Sequence, residues 1–406
     1  MSNSGAAARN SRRRFLQVSA TASAAMAFEV FTEPMLAAAA QRDKSFHPTS
    51  GVMINANENP LGPCDAARKA IAEIAPQGGR YSDWLTDDLA KIFSQAEGLK
   101  PEYVRVFPGS SGPLHFAVLA FTSPARSYVT ADPGYEAGMR AAQFAGARVV
   151  KAPLTKTFGH DVKAMAAAAP DAGVFYVCTP NNPTGTLTPH ADIEWLVANK
   201  PKGAIVLVDE AYIHFAGVPS ALDLVKAGHD VIVLRTFSKI YGMAGIRCGF
   251  AIGRPELVVQ LGDRSGYSAM PITAVAAATA SLKDETVVAA RKQVNTSIRQ
   301  GTFDWMSRQG YGYVPSESNC FMAETKRPAK EVIEAMGAQH VYIGRPWPVW
   351  PTHVRITVGT QDEMAQFQSA YQRVMSNAVA TGWEPRKTRS RGLDGVVLPA
   401  RAGDYS

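Results

Sequence analysis

Lys239 ends the run Thr236-Phe237-Ser238-Lys239, and Arg247 follows eight residues later. A lysine just past an apolar run is ordinarily a surface side chain whose stem lies on apolar neighbours. Here two hydroxyls and a guanidinium surround it, a set that suits a phosphate group. A second phosphate cradle is offered by Gly109-Ser110-Ser111-Gly112, placed between a strand-like run and a helix-like one. Free amides and the positive end of a helix dipole are available there. An amine beside a phosphate site points to a Schiff base with pyridoxal phosphate, a cofactor that acts as an electron sink. The remaining polar groups fit the same ring. Asp209 can face the pyridinium nitrogen and keep it protonated, Asn182 and Tyr212 can bond the ring oxygen, and Tyr135 can lie on the ring face. Taken singly, Asp209 reads equally as a turn cap and Tyr135 as core packing.

These residues need a scaffold that gathers them. Short β-branched and aromatic runs recur at Tyr103–Phe107, Ser127–Ala131, Val174–Cys178, Ala204–Val208, Val231–Arg235 and Cys248–Ile252. Several are continuously apolar, as strands buried on both faces are. Helical patterns lie between them, at Leu114–Phe121 and Ile193–Lys200. The alternation predicts an α/β domain with a mostly parallel sheet covered by helices. In such sheets ligands bind beyond the carboxyl ends of the strands. Five polar clusters stand at those ends: Gly109–Gly112, Pro133–Tyr135, Asn181–Gly185, Asp209–Tyr212 and Thr236–Lys239.

The 406 residues exceed one compact core and suit two packed domains. With 46% apolar and 19% charged residues, wholesale disorder is excluded. The net charge of +7 is concentrated at the ends: residues 1–40 and 383–406 contribute +2 each, leaving +3 for the body. That pattern gives no reason to expect a nucleic-acid partner. Cys64, Cys178, Cys248 and Cys320 lack metal-ligand spacing and are expected to pack as small apolar residues, with a disulfide open if the protein is exported. No metal site is expected.

Ser11-Arg12-Arg13-Arg14-Phe15-Leu16 precedes the apolar run Val18 to Phe28 and then Ala37 to Ala40, the parts of a secretory signal. The paired arginines before Phe-Leu resemble a twin-arginine export signal, with cleavage expected after Ala38 or Ala40 and a periplasmic or secreted product, without a membrane anchor after cleavage. Glu29 and Glu33 interrupt the late part of that run. On this reading residues 1–40 lie outside the fold.

The chain resembles the fold-type I pyridoxal-phosphate aminotransferases, and within them the histidinol-phosphate branch. The motifs are Asn55-Ala56-Asn57-Glu58-Asn59-Pro60-Leu61-Gly62-Pro63, Asn181-Asn182-Pro183-Thr184-Gly185, Val208-Asp209-Glu210-Ala211-Tyr212, Phe237 to Arg247, and Val354-Arg355-Ile356-Thr357-Val358-Gly359-Thr360. The resemblance implies a large domain with a seven-stranded sheet between helices and a smaller α+β domain. The expected division is an arm at 41–70, a large domain at 71–270, a small domain at 271–377 and a basic tail at 378–406. It implies that Lys239 forms the Schiff base and shuttles a proton. Ser110, Ser111, Thr236, Ser238 and Arg247 would hold the phosphate, with Tyr81 reaching the cofactor of a neighbouring subunit in a homodimer. Arg355 would grip the substrate carboxylate, beside Asn182 and Leu61.

Three features depart from the family pattern: Leu61 where an aromatic is frequent, Ser82 where proline is usual, and Gly109–Pro113 without an acidic pair. Trp347 and Trp350, just before Arg355, can either line a side-chain pocket or pack the small domain. The expected reaction moves an amino group between an L-amino acid and a 2-oxo acid by a ping-pong route. Because phosphorylated biosynthetic intermediates are cytoplasmic, export favours an unphosphorylated substrate. A β-eliminating lyase uses the same constellation, and a non-catalytic periplasmic cofactor-binding protein is the reading from another class.

Overall fold

The computed structural model describes residues 50–266 and 269–380, together with Val30, Thr32, Glu33, Met35 and Leu36. The first described strand, β1 (Val52–Ile54), belongs to the smaller of two units. The larger unit is built on β2 (Val104–Phe107), β3 (Ser127–Asp132), β4 (Val149–Pro153), β5 (Ala172–Cys178), β6 (Ile205–Asp209), β7 (Val231–Thr236) and β8 (Gly249–Gly253). They form one seven-stranded sheet in the order β2-β8-β7-β6-β5-β3-β4. The pairings from β7 through to β4 are parallel, and β8 runs antiparallel to both its neighbours.

Every residue of β5, β6 and β7 is buried. Their unbroken apolar runs require helices on both faces, and a parallel pair requires a crossover, commonly a helix. The expected strands are all present, within two residues at each end. The one that sequence periodicity did not mark is β4. It is an edge strand that alternates buried and exposed positions, and Lys151 interrupts its apolar signal.

The smaller unit carries β9 (Cys320–Glu324), β10 (Val341–Ile343), β11 (Pro346–Trp347) and β12 (Trp350–Thr357). β12 lies antiparallel between β11 and β9, while β10 pairs in parallel with β1. Packing extends the large unit beyond the expected 71–270. Ala67, Ala274, Val275, Ala277, Ala278 and Val287 all join its core, because helix Asp65–Ile74 lies against helix Ile272–Lys283. Val52 and Ile54 join the small core with Phe321, Ile356 and Phe367.

The amino terminus requires a correction. Residues 1–40 were expected to stand apart from the fold, yet Leu36 is buried in the large core and Glu33 is buried beside the cleft. The rest of the export segment, and the tail beyond Ala380, lie outside the described residues. No helix among the described residues is long and apolar enough to cross a membrane. All four cysteines are free thiols, and three are buried.

Candidate active site

The carboxyl ends of β5, β6 and β7 open on a cavity of about 300 Å³. Its lining includes Ser110, Ser111, Tyr135, Asn182, Asp209, Tyr212, Thr236, Ser238, Lys239 and Arg247. Sequence reasoning assembled this group from five separate strand ends, and the sheet brings it to one place.

At one pole are the phosphate candidates. Arg247 donates to Ser238 Oγ at 3.0 Å and to the carbonyl of Ala244 at 2.8 Å. Thr236 Oγ1 donates to Ser238 Oγ at 3.0 Å and accepts from the Ser238 amide at 3.1 Å. Ser110 is the N-cap residue of the helix Ser111–Phe121 without a side-chain capping bond, and it lines the cavity with Ser111, at the end of the helix where amides have no partner within the helix. Gly109 has φ +83°, and a Cβ there would strike the Arg247 guanidinium. The turn and the arginine therefore require a glycine between them.

At the opposite pole Asp209 ends β6. Its Oδ2 accepts from the Tyr176 hydroxyl at 2.9 Å and its Oδ1 from the Ala211 amide at 3.1 Å. Burial raises its carboxyl to about 6, only partly offset by Tyr176, Ala211 and Lys239. A cationic ring nitrogen placed against it would restore the ionised form.

Lys239 is nearly buried and donates through Nζ to the carbonyl of Asn57 at 2.9 Å. Burial lowers its ammonium, with Arg355 adding to the effect and Glu33 opposing it. A larger neutral fraction makes the amine a nucleophile and a proton acceptor. The Tyr212 ring lies 5.5 Å from Nζ, and its hydroxyl accepts from Asn57 Nδ2 at 3.0 Å.

Arg355, on β12, is fully buried. Its Nη1 donates to Asn182 Oδ1 at 2.9 Å and its Nη2 to the carbonyl of Asn55 at 2.6 Å. The same Nη2 stands 2.7 Å from the Glu33 carboxylate. Beneath it lies Trp347, with the Arg355 guanidinium 5.4 Å and that of Arg345 4.2 Å from the ring. Arg345 holds Glu136 bidentately at 2.6 and 2.8 Å. Trp347 thus serves the cleft as a platform for two cations. Trp350, by contrast, packs edge-on against Phe158 at 5.5 Å.

Three residues singled out in the sequence are not in the lining of this cavity: Arg355 is buried behind the lining residues Asn182 and Glu33, and Leu61 and Tyr81 lie elsewhere. Leu61 is 45% exposed and lines a neighbouring cleft with Phe215 and Arg291. Tyr81 is 77% exposed. Sequence reasoning had not singled out Glu33, Arg345, Tyr176 or Asn57 for the site. Asn57 lay inside a quoted motif, and Glu33 was visible only as a charge breaking an apolar run.

The residues fit pyridoxal phosphate: a hydroxyl and guanidinium cradle, a carboxylate at the opposite pole, and a buried amine between them in one cavity. Fold and cleft together define a fold-type I pyridoxal-phosphate enzyme. The chain belongs to the aminotransferases of class I and II, whose family model matches residues 49–370. A histidinol-phosphate aminotransferase from Moorella thermoacetica is 32% identical over 332 residues, covering 80% of this chain and 86% of that protein. An aromatic amino acid aminotransferase from Cutibacterium acnes is also 32% identical, over 78% of this chain and 90% of its own. The histidinol-phosphate aminotransferase of Sinorhizobium meliloti, solved in complex with pyridoxal-5'-phosphate, shares the fold with a TM-score of 0.76. It is 22% identical, and the match covers 87% of this chain and 97% of that one.

Proposed function

We propose that this pyridoxal-phosphate transaminase transfers an amino group from an unphosphorylated L-amino acid to a 2-oxo acid by a ping-pong route, both substrates using one cleft in turn. The observation that carries this reading is Arg355. It is fully buried at the edge of the cleft and already faces a carboxylate, that of Glu33, at 2.7 Å. A planar guanidinium with Asn182 beside it suits the carboxylate common to both substrates.

When bound, the cofactor supplies the electron sink for a carbanion at the substrate α-carbon. Ser110, Ser111, Thr236, Ser238 and Arg247 would hold its phosphate, Asp209 its ring nitrogen, and Asn182 and Tyr212 its ring oxygen, with Tyr135 against the ring. Arg355 binds the substrate carboxylate and so orients the α-carbon. Lys239 takes the proton from that carbon and would pass it to the cofactor within the same half-reaction, the second half-reaction running the transfer in reverse. Burial keeps its amine free enough to do so.

Histidinol phosphate, named for several relatives, is phosphorylated and lacks a carboxylate. The twin-arginine motif supports a compartment outside the cytoplasm, where such an intermediate is not made. A homodimer with shared sites is supported by exposed Tyr81 and Trp84, within two residues of Asp83, which lines a second, larger cavity of about 830 Å³ together with Ser111 and Arg247. The test is to incubate the cofactor-loaded protein, freed of residues 1–40, with single L-amino acids and no acceptor, and to count 2-oxo acid released. One equivalent per site supports transamination. Continuous release of 2-oxo acid with ammonia means elimination instead, and no release with any amino acid would leave a binding protein.

A further inference from the structure

The Glu33 carboxylate occupies the place where a substrate carboxylate belongs. Oε1 lies 2.7 Å from Arg355 Nη2 and 3.5 Å from Arg345 Nε, and Oε2 accepts from Asn182 Nδ2 at 3.2 Å. Thr32 and Glu33 both line the cavity that holds Lys239 and Asp209. The placement is anchored: Leu36 is buried in the large core, and its amide donates to the Thr32 carbonyl at 3.1 Å, closing one helical turn around Glu33. Glu33 itself is only 7% exposed. The two arginines outweigh the cost of burial and hold its carboxyl down at about 2.

We infer that the chain carries its own occupant of the substrate site: the segment at Glu33 docks as a carboxylate ligand and must leave before an amino acid can bind to Arg355. The inference rests on reading Arg355 as the substrate-carboxylate pole. Glu33 is an incomplete ligand there. Among the described residues none accepts from Arg355 Nε, so that donor is left unmet. A free carboxylate can meet Nη2 and Nε together, which gives substrate the means to displace it. The expected cleavage after Ala38 or Ala40 would also remove Glu33. The uncut chain is then closed, and the shortened one is open to substrate.

The test uses the full chain loaded with cofactor, its Glu33→Ala and Glu33→Gln variants, and maleate as a dicarboxylate probe. Hydrogen exchange should show peptides spanning residues 30–36 protected in the unmodified chain, and saturating maleate should release that protection. Both variants should lose it without maleate, and should bind maleate about tenfold or more tightly than the parent, since no docked fraction must first be displaced. Exchange at the unprotected rate in the parent chain overturns the inference. So does protection that persists under saturating maleate, and so does equal maleate affinity in all three proteins. Exchange reads docking without turnover, so docking of Glu33 in the full chain together with no 2-oxo acid from the chain freed of residues 1–40 would refute the transaminase reading alone.

Discussion

The Tyr176 hydroxyl donates to Asp209 Oδ2 at 2.9 Å from the neighbouring strand, two positions away from the register pair Cys178–Asp209. Both residues are buried, and the bond favours the charged carboxylate against a burial that disfavours it. Tyr176 is a positioning residue for Asp209. Tyr176→Phe should retain the cofactor while moving the acid limb of the kcat profile to higher pH and lowering kcat roughly 10- to 100-fold, the worth of a bond to a charged group. A pH–rate profile that keeps its acid limb would show that the bond is structural only.

Asp209 also sets a pH dependence of stability in the cofactor-free protein. Its folded carboxyl, at about 6, lies above the ordinary 3.8. A raised value means that the stability it contributes is present below about pH 4 and is lost as pH rises through 6, on the order of 3 kcal/mol in all. Asp209→Asn removes that ionisation. The cofactor-free variant should therefore melt above the parent at pH 7 to 8, the difference vanishing near pH 4. With cofactor the same variant should lose activity by about a hundredfold or more. Equal melting temperatures across this range would contradict a carboxyl raised by burial.

Gly109→Ala places a methyl against the Arg247 guanidinium and strains a backbone at φ +83°. The arginine is then displaced from Ser238 and the phosphate pole opens. Cofactor affinity should fall roughly tenfold or more, measured by equilibrium dialysis, while the sheet remains folded by circular dichroism. Unchanged affinity would separate Arg247 from the phosphate.

Much of this site was legible because several polar clusters stand together at the carboxyl ends of apolar runs, where each alone reads as a turn or a cap and only their coincidence points to a site. Lys239, Asp209 and Asn182 belong to those clusters, and Arg247 was read from its place eight residues after Lys239. Tyr176 does not, since a tyrosine inside Val-Phe-Tyr-Val-Cys reads as core, and only the partner strand reveals its hydroxyl's acceptor. Arg345 meets Glu136 across 209 residues, a pairing no local pattern carries. Glu33 was obscured by its setting: an apolar, alanine-rich stretch behind paired arginines reads as an address, and an address is set aside from the fold. Leu61 stands in a recognisable motif, yet its exposed side chain faces a different cleft.

Arg355→Lys keeps the charge and loses the planar fork that meets Asn182 and a carboxylate together. Weakening a buried charge pair costs about 2–5 kcal/mol, so KM for the amino acid should rise on the order of a hundredfold, with cofactor loading unchanged. A change confined to kcat would argue against carboxylate binding by this residue.

The central claim is that Lys239, Asp209 and Arg355 together perform half of a transamination on each substrate. Its most direct test is the count of 2-oxo acid released per site when the cofactor-loaded protein, freed of residues 1–40, meets a panel of L-amino acids without acceptor. The account predicts one equivalent for at least one amino acid, restored to many turnovers by an added 2-oxo acid, and none for Lys239→Ala. Sustained release without acceptor, or release by Lys239→Ala, would contradict it.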